Sequence, residues 1–340
     1  MITIQEIAAL AGVSKSTVSR VLNKSGYVSQ SVRSRVEQII TENNYSPSAM
    51  AVNLSRRETK TIGVLIPELD NVFFGEILKG ITEVAEEGGF SVICCDTADS
   101  AIKEDRVLHS LAQQRVRGLI IAPAQEYTDP KDVKRLETCF SRLDVPIVVV
   151  DRHLDKMQLD GVYYENYESG YLAASELIKA GNRRLGIITG NLQLRIARDR
   201  YQGFRQAVLD AGLELDENFI LKGDFGVSTA YRLTKEMLER GAIPEGIVTS
   251  NNRTSLGFLK AVREHKIKIG TDIAVIGIDN IDVLDMLGFD FSCVMRDVHE
   301  MGRLAAGQLF DRIENKSLPI KVHTVPCQLV LKGTERRRFK

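Results

Sequence analysis

Five short polar or cationic side chains fall within six positions near the start of the chain: Lys15, Ser16, Thr17, Ser19 and Arg20. An arginine forks onto guanine O6 and N7, a lysine does the same or holds a phosphate, and short hydroxyls reach backbone oxygens. A second set follows the apolar runs further along: Asp70, Phe73, Phe74, Asp151, Arg195, Arg200, Phe225, Asn252 and Asp279. Guanidinium, carboxylate and amide groups grip hydroxyls or anions, while aromatic rings cover the flat face of a sugar or base. Neither set is catalytic in pattern. No GxGxxG follows the run at 62–66, there is no GxxxxGK[ST] or HExxH, and the five histidines are scattered. An enzyme is therefore not expected, nor a cofactor or a metal. The five cysteines are odd in number and lack zinc-ligand spacing, which fits a reducing cytoplasm.

The first set needs a short rigid support, and the residues around it supply one. Thr3 with Glu6 three residues later forms a capping box for a helix bearing Ile7, Ala8 and Leu10, and Gly12 stops it. Ser14 caps a second helix whose Val18, Val21 and Leu22 face inward, leaving the polar set outside. A third helix is predicted over Gln30 to Asn43, capped by Ser29, with Val32, Val36, Ile39 and Ile40 on one face. A helix whose free face is short, hydrogen-bonding and cationic suits a DNA major groove. Asn23 and Tyr45 are suited, with Thr17 and Ser19, to the phosphate backbone. Ser46-Pro47 then opens a short helix through Ser55, too short to persist alone and a natural coupling element.

Charge supports a division of labour. Residues 1–60 hold eight Lys and Arg against four Glu, a surplus of four that the rest of the chain cancels to a net charge of zero. A modestly basic head on a modestly acidic body matches a nucleic-acid module fused to something else. The 340 residues suffice for two or three cores, and 44% hydrophobic with 26% charged content is ordinary for a soluble protein. No apolar run reaches the roughly 18 residues that span a bilayer. The N-terminus lacks a basic and apolar leader, so export is not expected.

From Thr61 the pattern alternates between strand and helix. Apolar runs at 62–66, 92–95, 119–122, 147–150, 185–189, 246–249 and 274–278 are separated by helical patterns at 74–87, 104–114, 167–179, 200–211, 230–240 and 256–265. This predicts parallel sheets covered by helices on both faces, with the weakly patterned stretch 155–164 dividing the body in two. Ligands of doubly wound sheets sit beyond the carboxyl ends of the strands, which is where the second set of residues falls.

The runs ITIQEIAALAGVSKSTVSRVLN, NYSPSAMAVNLSRRETKTIGVLIP, RDRYQGFRQA and VIGIDN together resemble the lactose-repressor (LacI/GalR) family of bacterial transcription regulators, over nearly the whole chain. The resemblance implies a small all-α helix-turn-helix head and an α/β body like periplasmic binding proteins, with two doubly wound parallel-sheet subdomains. It places the head at 1–45 and a hinge helix and linker at 46–60. The first subdomain is placed at 61–160 plus 293–322 and the second at 161–292 plus 323–334. It further implies a homodimer on a palindromic operator, base contacts from Lys15, Ser16 and Arg20, a minor-groove wedge at Leu54 and a small helix-contact position at Ala51. Arg200 and Asp279 match positions that hold an effector's polar groups, and Phe73, Phe74 and Phe225 match positions that flank it. The chain departs from the family's pattern at Ile196, at Asn252 and across Phe289–Arg296. These departures point away from a standard neutral hexose. Arg195, Arg198 and Arg200 together suit a phosphorylated sugar or another anion, so the expected effector is a sugar or sugar phosphate, with a non-sugar effector as the alternative. The C-terminal residues carry no leucine heptads, so no tetramerising coiled coil is expected.

Overall fold

The structure is a computed structural model that describes residues 2–23, 25–45 and 59–337. The expected hinge helix, with Ala51 and Leu54, lies outside the described residues. The described chain forms two compact units, the head and the body.

In the head, α1 (Ile4–Leu10), α2 (Lys15–Leu22) and α3 (Gln30–Glu42) enclose Ile7, Ala8, Ala11, Val18, Val21 and Val36. The capping box forms as its spacing requires: Thr3 donates its N–H to Glu6 Oε2 at 2.7 Å, and Thr3 Oγ1 accepts from Glu6 N at 3.3 Å. The Thr3 N–H, and next the Thr3 hydroxyl donating to the same oxygen at 2.9 Å, hold the Glu6 carboxyl below its usual range. Gly12, at φ +64°, takes the left-handed conformation that ends α1. Ser14 Oγ accepts from Thr17 N at 3.2 Å and starts α2. Ser29 stands at the N-cap of α3 but makes no side-chain cap bond.

The body has two lobes, each a six-stranded sheet between helices. The first-lobe strands are β1 (Thr61–Ile66), β2 (Ser91–Asp96), β3 (Leu119–Ile121), β4 (Ile147–Val150), β5 (Asp160–Tyr164) and β11 (Val322–Val325). They lie in the order β11-β5-β4-β3-β1-β2, all parallel. Helices α4 (Val72–Glu87) and α12 (Val298–Glu314) bury their apolar stripes on one face. Helices α5 (Ala101–Gln114) and α6 (Pro130–Leu143) cover the other.

The second-lobe strands are β6 (Leu185–Ile188), β7 (Ile220–Leu221), β8 (Gly246–Thr249), β9 (Ala274–Ile278), β10 (Cys293–Arg296) and β12 (Cys327–Val330). Their order is β12-β10-β9-β8-β6-β7, and only β12 runs antiparallel. Helices α7 (Asn166–Lys179) and α8 (Arg195–Asp210) cover one face, α9 (Val227–Glu239) and α10 (Asn252–Glu264) the other, and a short α11 spans Asp282–Met286. The central strands are buried on both faces, which is why they read as unbroken apolar runs. Among the described residues no helix is long and apolar enough to cross a membrane.

The chain crosses between lobes three times, each time a few residues later than expected. All of β5 belongs to the first sheet, all of β10 to the second and all of β11 to the first, so residues 161–164, 293–296 and 323–325 change lobe relative to the expected boundaries. A strand's backbone must finish pairing before the chain can leave the sheet. β5 was hidden in the sequence because it opens on a buried carboxylate: Asp160 is held by Arg312 Nε and Nη2 at 2.8 and 2.9 Å and by Lys321 N at 2.8 Å.

Candidate functional site

The carboxyl ends of both sheets face a cavity of about 640 Å³ between the lobes. The first lobe contributes Glu68 and Asn71 after β1, Asp99 after β2, Ala124 to Glu126 after β3, and Asp151 and Arg152 after β4. The second contributes Asn191, Gln193, Leu194 and Ile196 after β6, Asp224 and Phe225 after β7, Asn251 and Asn252 after β8, Asp279 after β9, and Arg296 from the end of β10. Backbone strain is concentrated here. Asp99, Asp151, Phe225 and Asp279 all line the cavity at φ of +52°, +59°, +70° and +73°. Such residues cost of order 1–3 kcal/mol each and persist where the surroundings over-determine them.

Arg200 is 2% exposed and donates through Nε to Asn166 Oδ1 at 2.9 Å and through Nη1 to the Ser250 carbonyl at 2.6 Å. Burial first, and the nearby Arg296 second, pull its pKa down to about 10. Its helix is placed by a close approach: a Cβ on Gly170 of α7 would meet the Arg200 carbonyl oxygen at 1.9 Å, and one on Gly203 would meet that of Tyr167 at 1.9 Å. The Phe225 ring lies 5.5 Å from the Arg200 guanidinium, in space that a Cβ on Gly190 would occupy.

The other guanidinium groups are committed. Arg152 Nη1 donates to Asp99 Oδ1 at 2.6 Å and to two carbonyls at 3.0 Å. Arg296 donates from Nε and Nη2 to Asp279 Oδ1. Arg198 Nη2 donates to Glu126 Oε2 at 2.7 Å. Behind the wall, buried Glu104 accepts from Ala124 N and the Tyr127 hydroxyl, and burial raises its pKa. Among the described residues, Asp151 Oδ1, Glu126 Oε1, Arg152 Nε and Arg296 Nη1 are buried without a hydrogen-bond partner. A polar occupant would satisfy them.

The lobes also touch directly around the rim. Asn252 Nδ2 donates to Asn71 Oδ1 at 3.4 Å, Arg253 lies 3.3 Å from Glu68, and Arg198–Glu126 and Arg195–Asp155 close the far side at 2.7 and 2.8 Å.

In the head, Lys15, Ser16 and Arg20 stand exposed on α2. Thr17 and Ser19 are half-buried, and their hydroxyls bond Ser14 Oγ at 2.9 Å and Asn23 Nδ2 at 3.2 Å. Tyr45 packs partly against the head's core. The loop residue Tyr27, not singled out from the sequence, is 91% exposed.

Residues 3–48 match the model of bacterial regulatory proteins of the lacI family, and residues 59–332 match that of periplasmic binding proteins and the sugar-binding domain of the LacI family. The chain belongs to the LacI family. It is 32% identical over 339 residues, all of both chains, to the HTH-type transcriptional repressor PurR of Pasteurella multocida. It is 32% identical to the ribose operon repressor of Haemophilus influenzae, over 93% of each chain. Among solved structures, the Lac repressor dimer bound to operator and the anti-inducer ONPF matches with a TM-score of 0.86 and 25% identity, over 98% of this chain and 99% of that one. The regulator CelR in its cellobiose complex matches at 28% identity and a TM-score of 0.73, over 98% and 100%. As a LacI-family protein, the chain is a DNA-binding transcriptional regulator with a helix-turn-helix head and a ligand-binding body.

Of the residues expected in this LacI-family body, Phe73, Phe74, Asp151, Arg200, Phe225, Asn252 and Asp279 converge on the cavity. Asp70 and Arg195 do not line it. The Asp70 side chain is 82% exposed and lies 3.6 Å from Arg253. Its neighbour Asn71 turns inward instead, because Asn71 caps α4 and accepts from Phe73 N at 3.2 Å. Arg195 pairs with Asp155 and Asp199. The stretch read as loop to Arg200 is helical from Arg195, and at about 100° per residue Arg200 points well away from both Arg195 and Arg198. The three arginines therefore do not form one anion cluster. Asn71, Arg152 and Arg296 were the principal residues missed. The first two lie in loops flagged by the apolar runs, whereas Arg296 ends a short strand of mixed burial with little sequence signal.

Proposed function

We propose that this chain is a homodimeric repressor that reads an approximately palindromic operator and is controlled by a neutral sugar held between its lobes. Lys15, Ser16 and Arg20 face the base edges of the major groove, with Thr17, Ser19, Asn23 and Tyr45 directed to the backbone. Ala51 and Leu54 belong to the segment that inserts into the minor groove. The protein works in the cytoplasm, without catalysis.

One observation carries the ligand class. Arg200 is the cavity's buried guanidinium whose hydrogen bonds go to an amide and a carbonyl rather than a carboxylate, and it stands among Asp151, Asp224 and Asp279. A phosphate would meet one cation without a carboxylate partner inside a wall of carboxylates. A sugar hydroxyl can donate to Asp151 and accept from Arg200, while the Phe73, Phe74 and Phe225 rings cover its apolar face. The relative named for the ribose operon makes D-ribose the first probe. Titration calorimetry on the full chain with D-ribose and D-ribose 5-phosphate, paired with operator gel shifts, tests the reading. Binding of the neutral sugar is expected, and tight binding of the phosphate alone would overturn it.

A further inference from the structure

Arg296 belongs to the second lobe, yet its guanidinium is seated over two rings of the first. Its Cζ lies 4.4 Å from the Tyr164 ring centroid and 4.9 Å from that of Phe73, and those rings lie 6.1 Å apart. The residue is 5% exposed. Nε and Nη2 both reach Asp279 Oδ1, while Nη1 is buried at the cavity with no partner among the described residues. Tyr164 is the last residue of β5 and Arg296 the last of β10, so two of the three crossings pass here. The next residue, Asp297, caps α12 through its side chain, accepting from Glu300 N at 2.9 Å. Its carbonyl accepts from the Tyr164 hydroxyl at 3.3 Å.

We infer that Arg296 is a positioning residue that ties the lobes together at the crossings, holding Asp279 toward the cavity while its charge grips Phe73 and Tyr164. A desolvated cation over aromatic rings is among the stronger forms of this contact. The alternative role, a counterion for a buried carboxylate, requires only that Asp279 be neutralised or paired. The two roles separate on a double variant. Arg296→Gln leaves Asp279 without its ion partner. Asp279→Asn combined with Arg296→Gln restores a neutral hydrogen-bonded pair but not the charge over the rings.

The test is hydrogen exchange of the full chain, with no effector added, in peptides covering 160–166 and 293–298, alongside thermal melting. Arg296→Gln is expected to melt below wild type and the double variant to recover most of that loss. Both are expected to exchange about tenfold faster or more at the two crossings, the factor expected for a lost desolvated cation–π contact. Arg296→Lys, which keeps a cation but not the fork, is expected to fall nearer wild type in exchange, and it carries the test if the glutamine variant does not fold. Recovery of crossing protection in the double variant, or exchange in the lysine variant as fast as in the glutamine one, overturns the tie. That Arg296 holds Asp279 toward an effector rests on the cavity being the effector site. Because exchange is read without effector, failure of the sugar reading and failure of this inference are told apart.

Discussion

Under the proposed function Arg20 and Asp151 have opposite kinds of work and opposite charges. Arg20 stands exposed on α2, so its guanidinium is available for a guanine edge. Arg20→Ala should cost about 1–3 kcal/mol on the operator and much less on unrelated DNA. Gel shifts on both sequences check this, and equal losses would assign Arg20 to the backbone. Asp151 is buried with one oxygen unpaired, which marks an acceptor waiting for a donor. Asp151→Asn should weaken D-ribose binding by roughly 1.5–3 kcal/mol, the usual range for a hydrogen bond to a charged group, as read by calorimetry. His153 contributes a pH dependence of its own. It stacks on Tyr163 with centroids 3.8 Å apart, and burial first, then Arg195, lower its pKa below 6.5. The folded state therefore resists the proton that the unfolded chain takes up, so stability is lost as pH falls below 6.5 toward the folded value. His153→Gln should flatten the fall in melting temperature across that window. Residue identity was legible where a polar side chain follows an apolar run, as for Asp151 and Asp279. Arg195 was misread because loop and helix look alike until the helix start is known, and that start sets which way each arginine points.

Burial made most strands legible, with two exceptions: β5 is buried throughout yet hidden by its opening carboxylate, and β2 is partly exposed yet reads as an apolar run. β1, β4 and β8 are sealed on both faces and read as apolar runs, whereas β7 has two residues and β11 and β12 are partly exposed edges. Hydrophobic patterning fails for such strands because solvent, not a second helical layer, covers them. The same logic hid the helix starts that matter most: α8 begins at Arg195 and α10 at Asn252, each earlier than its apolar stripe. Nothing in the patterning marked how closely α7 and α8 approach, since that depends on two glycines 33 positions apart in the sequence. Gly203→Ala should push α8 from α7 and move Arg200 with it. Overpacking of this kind costs about 1–3 kcal/mol, which urea denaturation would measure. Sugar affinity should fall in parallel. Unchanged affinity would mean that Arg200 does not depend on that contact.

At the scale of the molecule the head alone is a weak reader. Residues 1–45 carry five Lys and Arg against three Glu, a surplus of two that neutralises few phosphates, and one recognition helix contacts only a few base pairs. Useful affinity then comes from joining two heads, because the second half-site is bound as an intramolecular event. In the proposed homodimer the body would supply the contact, and it shows an apolar crest suited to that purpose. Met286 and Leu287 at the end of α11 are 83% and 76% exposed, with Val283 and Phe289 beside them. Large apolar side chains clustered in the open mark an interaction surface rather than a solvent face. Replacing Met286 and Leu287 together with Glu should yield monomers in sedimentation equilibrium while leaving the melting of each lobe nearly intact. Operator affinity should then drop by at least about a hundredfold, the scale of avidity that linking two sites provides. A variant that still sediments as a dimer would move the interface elsewhere. A monomer with full operator affinity would remove the need for a pair, and with it any route by which closure of the lobes could change how two heads are spaced.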